Sequence, residues 1–172
     1  MTMIAHVRFT FRPLTADDAG AFKALRLHAI ATSPSAVWPT SAEETASDAA
    51  LRITQTDTQI VFGAFQGADL VAIAGLRREA LRQVRHKATL WGVFVDPAWR
   101  SLGLARQLFA HLSTHARNAG VLQIQLSVNA DNTAAKALYR SFGFITYGRE
   151  PRAMCVEGVF HDEEHMQLQL DT

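Results

Sequence analysis

Residues 93–105 read Val93-Phe94-Val95-Asp96-Pro97-Ala98-Trp99-Arg100-Ser101-Leu102-Gly103-Leu104-Ala105, a pattern in which a strand passes through a turn into a helix. The first turn of a helix presents free N–H groups and the positive end of the helix dipole, which together bind phosphate or pyrophosphate. Arg100 adds positive charge, and Gly103 has no side chain to block a ligand. Taken alone, the segment is as consistent with a tight turn and an exposed arginine as with an anion site.

A second segment, residues 132–144, reads Asn132-Thr133-Ala134-Ala135-Lys136-Ala137-Leu138-Tyr139-Arg140-Ser141-Phe142-Gly143-Phe144 and predicts a helix. The i, i+3, i+7 spacing places a polar cap, a methyl group and a phenol on one helix face, namely Asn132, Ala135 and Tyr139. The apolar face is expected to pack inward and consists of Ala134, Leu138 and Phe142. This division of the helix favours a ligand beside the first face.

Together the two segments resemble the GNAT superfamily of N-acetyltransferases. In that family an Arg/Gln-x-x-Gly-x-Gly/Ala turn binds the pyrophosphate of coenzyme A. An Asn-x-x-Ala-x-x-Leu-Tyr-x-x-x-Gly-Phe helix places a tyrosine near the coenzyme A sulfur. The first motif matches at Arg100, Gly103 and Ala105. The second matches at Asn132, Ala135, Leu138, Tyr139, Gly143 and Phe144, and the resemblance is strong over residues 90–148.

The resemblance implies an enzyme, an acetyl-CoA-dependent N-acetyltransferase that transfers acetyl directly to an amine of a small molecule, peptide or protein. It implies that the backbone of Phe94 and Val95 pairs with the pantetheine arm. The residues implied around the pyrophosphate are Arg100, Ser101, Leu102, Gly103, Leu104 and Ala105, with Asn132 beside them. Tyr139 would be the catalytic general acid, because a phenol with an ordinary pKa near ~10 can hydrogen-bond or protonate a thiolate whose conjugate acid lies near ~8.5.

The group that removes the amine proton is left open. Many relatives have a glutamate three residues before the position of Val95, where this chain has Gly92. An alkyl amine with a pKa near ~10.4 needs about 5 kcal/mol to become neutral at pH 7, so a base or a water path is expected. The candidates are Glu79, Ser127 and Asn129. The glycine also motivates a second hypothesis, a non-catalytic acyl-CoA-binding module that senses or regulates.

The hydrophobic pattern predicts a single domain, residues 1–172, with an α/β fold in which helices flank a mixed, mostly antiparallel sheet. Alternating apolar residues predict strands over 6–12 and 122–128, and two short apolar runs over 60–65 and 70–76 predict a hairpin. Further strands are predicted over 89–95, 144–149 and 159–170. Helical spacing and caps predict helices over 15–31, 41–54, 104–119 and 131–142. Ser41 and Glu44 have the spacing of a capping box at the start of the second helix.

Composition and charge are typical of a soluble globular protein, and we expect a cytoplasmic location. The chain has 172 residues and a formal net charge of +1, which gives no general attraction to nucleic acid or to an anionic membrane. The longest apolar run, residues 70–76, is far shorter than the ~18 residues of a membrane-spanning helix. The start of the chain alternates and does not resemble a signal peptide, and Cys155 is the only cysteine. Exposed sheet edges make a homodimer possible.

Three further patterns in the sequence do not indicate an additional functional site. The segment His161-Asp162-Glu163-Glu164-His165 matches the H-x-x-E-H pattern of some zinc proteases, which requires a helix, whereas its surroundings predict a strand. No metal is therefore expected. His111 and His115 share a helix face without a third ligand nearby in sequence. Basic residues between 77 and 87 lack the interleaved aromatic side chains of an RNA site.

Two aromatic residues stand near the predicted acceptor side. Trp38 and Phe22 resemble the region that shapes the acceptor pocket in the GNAT superfamily, and a buried structural role for the tryptophan is equally consistent with the sequence. Cys155 is expected to be a small buried or edge residue instead of a nucleophile, because the implied mechanism is direct attack on the thioester.

Overall fold

The computed structural model describes residues 7–171, in which seven strands form one sheet. The strands are β1 Phe9–Pro13, β2 Gln59–Gln66, β3 Asp69–Arg78, β4 Lys87–Val95, β5 Gln123–Asn129, β6 Ile145–Val156 and β7 Val159–Gln169. Their order is β1-β2-β3-β4-β5-β7-β6, and every neighbouring pair is antiparallel except β4 and β5. The predicted mixed, mostly antiparallel sheet is confirmed. His6, in the predicted first strand, lies outside the described residues.

Helices cover both faces of the sheet. They are α1 Ala19–Thr32, α2 Ser41–Ala46, α3 Ala49–Ile53, α4 Leu104–Asn118 and α5 Thr133–Ser141. On one face α4 buries Leu108 and Leu112 in a cluster that includes Ile124 of β5. On the other face α1 and α3 bury Phe22 and Ile53 against β2 and β3. No helix within residues 7–171 is long and apolar enough to cross a membrane.

The segment predicted as one helix over residues 41–54 is two short helices, so this prediction is wrong. The capping box is one residue earlier than expected: the Glu43 N–H donates to Thr40 Oγ1 at 3.2 Å, and the Thr40 N–H donates to Glu43 Oε2 at 2.7 Å. At Ser47 the backbone turns extended, and Asp48 caps α3 by accepting the Leu51 N–H at 3.0 Å. Helix α2 therefore ends at Ser47, and the Asp48 cap begins α3.

A bulge in β4 shapes the middle of the sheet. Ile73 of β3 pairs with Phe94, and Gly75 pairs with Trp91, so β4 has one extra residue in the interval. Gly92 lies in this interval with φ +63, a left-handed backbone conformation that costs free energy for residues other than glycine. A bulge bends its strand and increases the local twist. The bend at Gly92 therefore comes just before the segment that was expected to hold the ligand.

Candidate functional site

Strands β4 and β5 separate partway along their length. In the described part of the chain they pair only between Lys87–Thr89 and Gln123–Gln125, although β4 continues to Val95 and β5 to Asn129. Beyond the paired segment the edge of β4 faces a gap. A backbone edge of this kind pairs readily with an extended ligand that carries amide groups. The sheet thus has an opening in its centre that begins after Thr89 and includes the Gly92 bulge of β4.

The turn after β4 leads to an uncapped helix start. The Arg100 Nε–H donates to the Val95 carbonyl at 3.2 Å, which holds the guanidinium beside the end of β4. Ser101 and Gly103 have φ of 64 and 77, so the chain curls tightly before α4. Gly103 is the N-cap residue and provides no side chain, and the first turn of α4 has no acidic residue. Free N–H groups and a nearby arginine favour a phosphate group here.

Tyr139 lies on α5 at the edge of the core, where its ring contacts Phe144 with centroids 5.9 Å apart. Burial raises the pKa of Tyr139 to about 12, so the ordinary value near ~10 assumed from sequence is too low. Asn132 caps α5, since its Oδ1 accepts the Ala135 N–H at 3.1 Å. Its side-chain NH₂ group is the part left to contact a ligand.

The predicted division of α5 into a ligand face and a core face is wrong in part. Ala135, Tyr139 and Phe142 are the residues that pack against the core cluster, whereas Ala134 is exposed. The i, i+4, i+7 spacing of this set places its members on one side of a helix, as does the spacing of the predicted inward face. Sequence spacing alone therefore could not decide which of the two faces packs against the core. Tyr139 is therefore held by packing on the helix side that faces the sheet.

A chain of hydrogen bonds crosses three strands beside the opening. Ser127 of β5 lies 2.9 Å from His165 of β7, measured from Oγ to Nδ1. The other ring nitrogen of His165, Nε2, lies 3.2 Å from Glu150 Oε2 of β6. The segment 161–165 is part of β7, so it lacks the helix that the zinc-protease pattern requires. No group of three or more potential metal ligands occurs within residues 7–171.

A buried carboxylate lies one position along the same face of β7. Glu163 is 4% exposed, and its Oε1 accepts the Trp38 indole N–H at 2.8 Å. Its Oε2 is buried and has no hydrogen-bond partner among the described residues. Trp38 itself is 71% exposed, so it is not a buried structural residue and instead covers this carboxylate. Sequence reasoning missed Glu163, because an acidic pair in a strand gives no sign of which carboxylate is buried.

A second buried charge cluster lies below the bulge. Glu44 is fully buried, with its Oε1 2.7 Å from Arg52 Nη1 and its Oε2 3.3 Å from Arg26 Nη2. Burial lowers the pKa of the Arg26 guanidinium, and the Glu44 carboxylate opposes that shift. A Cβ atom on Gly92 would lie 3.5 Å from Arg26 Nη1. The position at which relatives have a glutamate thus borders an arginine in this chain.

The other candidates from sequence are distant from the opening, already hydrogen-bonded or part of other regions. Glu79 lies beside the first residue of β4, since its N–H donates to the Lys87 carbonyl at 3.1 Å. Val95, at the far end of that strand, is about 26 Å away at ~3.3 Å per residue. The Asn129 amide is already engaged, because it donates to the Ser35 carbonyl and accepts the Asp131 N–H. Phe22 belongs to the core, and Cys155 is exposed on β6.

Comparison with known proteins places this site in context. Residues 23–144 match the acetyltransferase (GNAT) family. A ribosomal protein bS18-alanine N-acetyltransferase of Escherichia coli is 44% identical over 61 residues, which are 36% of this chain and 41% of the relative. The N-alpha-acetyltransferase RimI of Mycobacterium tuberculosis is 40% identical over 96 residues, 56% of this chain and 58% of the relative. The matched segments thus span about half the length of these relatives.

Solved structures match over nearly the whole chain. YncA, a putative acetyltransferase from Salmonella typhimurium with its cofactor acetyl-CoA, has a TM-score of 0.83 and 24% identity, covering 96% of this chain and 95% of its own. A ribosomal-protein-alanine N-acetyltransferase from Brucella melitensis has a TM-score of 0.80 and 27% identity, covering 93% and 99%. Since the family match extends over more than half of its residues, this chain belongs to the acetyltransferase (GNAT) family.

Proposed function

We propose that the protein is an acetyl-CoA-dependent N-acetyltransferase that transfers acetyl directly to an amine. The observation that carries this proposal is the opening between β4 and β5, which begins beyond the Thr89–Gln125 pair and leads past the Gly92 bulge to the uncapped start of α4. An extended amide-containing arm fits a strand edge, and a pyrophosphate fits a helix start. Family membership supports the same assignment. A cytoplasmic location and a homodimer stay predictions.

The residues at the opening fit coenzyme A. Phe94 and Val95 lie on β4 beyond its last pair with β5, so their backbone can pair with pantetheine amides. The pyrophosphate would lie against the turn formed by Arg100, Ser101, Leu102, Gly103, Leu104 and Ala105. A Cβ atom added to Gly103 meets nothing within 4 Å, which leaves space over that turn for a ligand. Asn132 would contribute its side-chain NH₂ group.

Tyr139 would donate a hydrogen bond to the sulfur as the C–S bond breaks. With its pKa raised to about 12, the phenol stays protonated throughout the neutral range. Complete proton transfer to a thiolate whose conjugate acid lies near ~8.5 would cost about 5 kcal/mol, so hydrogen bonding precedes full protonation. Backbone N–H groups near Val95 would donate hydrogen bonds to the oxyanion that forms from the thioester carbonyl oxygen. Both roles act on charge that appears only during the reaction.

The acceptor class is proposed from the names of the relatives. Two are described as alanine or N-alpha acetyltransferases, which act on the amine at a peptide N-terminus. We therefore place a peptide with an N-terminal alanine first among the acceptors to be assayed, ahead of alkyl amines such as putrescine. Small-molecule amines stay in the panel.

The experiment measures release of the coenzyme A thiol from acetyl-CoA over that amine panel. We expect release that depends on the amine, together with a rise in the melting temperature on adding acetyl-CoA. The Tyr139→Phe variant should lose about 10²-fold or more in kcat while acetyl-CoA affinity changes little. Thermal stabilisation without amine-dependent thiol release would instead indicate a non-catalytic binder. That alternative rested on Gly92, which the bulge geometry explains without reference to catalysis.

A further inference from the structure

The hydrogen-bonded chain from Ser127 to Glu150 has a direction. A carboxylate can only accept, so the Glu150 oxygen at 3.2 Å assigns the proton of the neutral imidazole to Nε2 of His165. Nδ1 then carries the lone pair and accepts the Ser127 hydroxyl proton across 2.9 Å. The three groups are thus ordered as hydroxyl donor, imidazole acceptor and carboxylate anchor. An imidazole exchanges protons near neutral pH more readily than other side chains.

The hydroxyl end of this chain lies beside the opening. Gln125 is the last β5 residue paired with β4, and Ser127 is the next residue on the same strand face, about 6.6 Å further along. Leu126 and Val128 point to the face covered by α4, so Ser127 points to the other face. This is the face on which Trp38 reaches Glu163. Ser127 is exposed, and a ligand can therefore reach its hydroxyl.

We propose that Ser127, His165 and Glu150 form a proton relay that deprotonates the acceptor amine. This inference rests on the proposed acetyltransferase function. The acceptor ammonium gives one N–H proton to Ser127 Oγ, and the Ser127 hydroxyl proton passes to His165 Nδ1. The neutral amine then forms the C–N bond as the C–S bond breaks, and the imidazolium later releases its proton to water. Ser127 contacts the acceptor amine, and His165 acts through Ser127. Glu150 is a positioning residue for the His165 ring.

The surroundings of His165 suit this role. Glu150 and the Tyr147 ring face it from β6, the ring at 6.0 Å between centroids, and Ser127 faces it from β5. On β7 itself Glu163 lies on the same strand face, with one oxygen bound by the Trp38 indole. Both charged neighbours are carboxylates, so the positive charge that the relay places on the ring has groups of opposite sign beside it. The His165 side chain is 28% exposed, which gives its proton a route to water.

The pH dependence of acetyl transfer tests the relay. The probe is a peptide with an N-terminal alanine, or alaninamide if the wild type acetylates only small amines, because both carry an α-amine with an ordinary pKa near ~8. We compare kcat/KM at pH 6.5 and at a pH one unit above the pKa of the probe amine, for wild type, His165→Gln and Ser127→Ala. A relay predicts that both variants lose about 100-fold at pH 6.5 and less than about threefold at the high pH, where the amine is already neutral.

The matched control is His161→Gln, a histidine on the same face of β7 that pairs with Met154 and lies outside the relay. It should follow the wild type at both pH values. Circular dichroism and acetyl-CoA affinity, measured by calorimetry, establish that each variant is folded and binds the cosubstrate. Equal losses at both pH values, or a wild-type profile in either relay variant, would overturn the relay alone. A wild type that acetylates no amine in the panel overturns the proposed function, and the relay with it.

Discussion

Replacing Gly92 by alanine tests whether the β4 bulge requires a glycine. With φ +63, an alanine at this position adopts a left-handed conformation that costs about 1–2 kcal/mol relative to glycine. The added Cβ would lie 3.5 Å from Arg26 Nη1, an ordinary contact, so the cost lies in the backbone and not in a clash. For a chain of 172 residues this corresponds to a fall of roughly 2–8 °C in melting temperature. Urea unfolding followed by circular dichroism measures the free energy directly.

Two companion variants sharpen this test. Gly20→Ala in α1 meets nothing within 4 Å and should stabilise the protein by about 0.5–1 kcal/mol, because helix interiors favour alanine. Gly92→Asn should lose less stability than Gly92→Ala, because asparagine tolerates the left-handed region. If Gly92→Ala unfolds at the same urea concentration as the wild type, the bulge does not require a glycine and the explanation of this position is wrong.

Three further substitutions address the buried polar groups. Glu44→Gln should lower the free energy of unfolding by about 3–5 kcal/mol in urea titrations, since it leaves the buried charge of Arg26 unpaired; a loss below 1 kcal/mol would contradict this. Trp38→Phe should cost about 1–3 kcal/mol by the same method, despite the exposure of the indole, because Glu163 loses its hydrogen bond. An unfolded tyrosine ionises near ~10, whereas the pKa of Tyr139 is raised to about 12, so stability should fall by up to about 3 kcal/mol between pH 10 and 12. The Tyr139→Phe variant should lack this part of the alkaline loss, and an unchanged fall would refute the assignment.

The fold was predictable where the hydrophobic pattern of a segment matches the strand or helix that the segment forms. The alternating residues of β5 and the continuous apolar runs of β2 and β3 identify strands, and the Leu104 to Leu112 stripe identifies α4. Alternation and the helical stripe report burial on one face, and the continuous runs report burial on both. The helix over 41–54 failed for a local reason. The backbone becomes extended at Ser47, which ends α2, and Asp48, a strong cap residue in the middle of a helical pattern, then starts α3.

The candidate site was only partly predictable. The Arg100 turn and the Tyr139 helix are contiguous motifs, so sequence spacing reveals them. The relay is not contiguous, since Ser127, His165 and Glu150 lie on three strands whose neighbourhood depends on the order β5-β7-β6. A register shift between Thr146 and Gly148 further decides which β6 residue faces His165. Sequence alone does not specify strand order or register across such a sheet.

The most direct test of the acetyltransferase assignment is a crystal structure of the protein with acetyl-CoA. We expect pantetheine in the gap between β4 and β5, paired with the backbone of Phe94 and Val95. We also expect the pyrophosphate at residues 100–105, and the sulfur within hydrogen-bonding distance of the Tyr139 hydroxyl. Acetyl-CoA bound elsewhere on the surface, or a sulfur distant from Tyr139, would contradict the assignment of this opening as the active site.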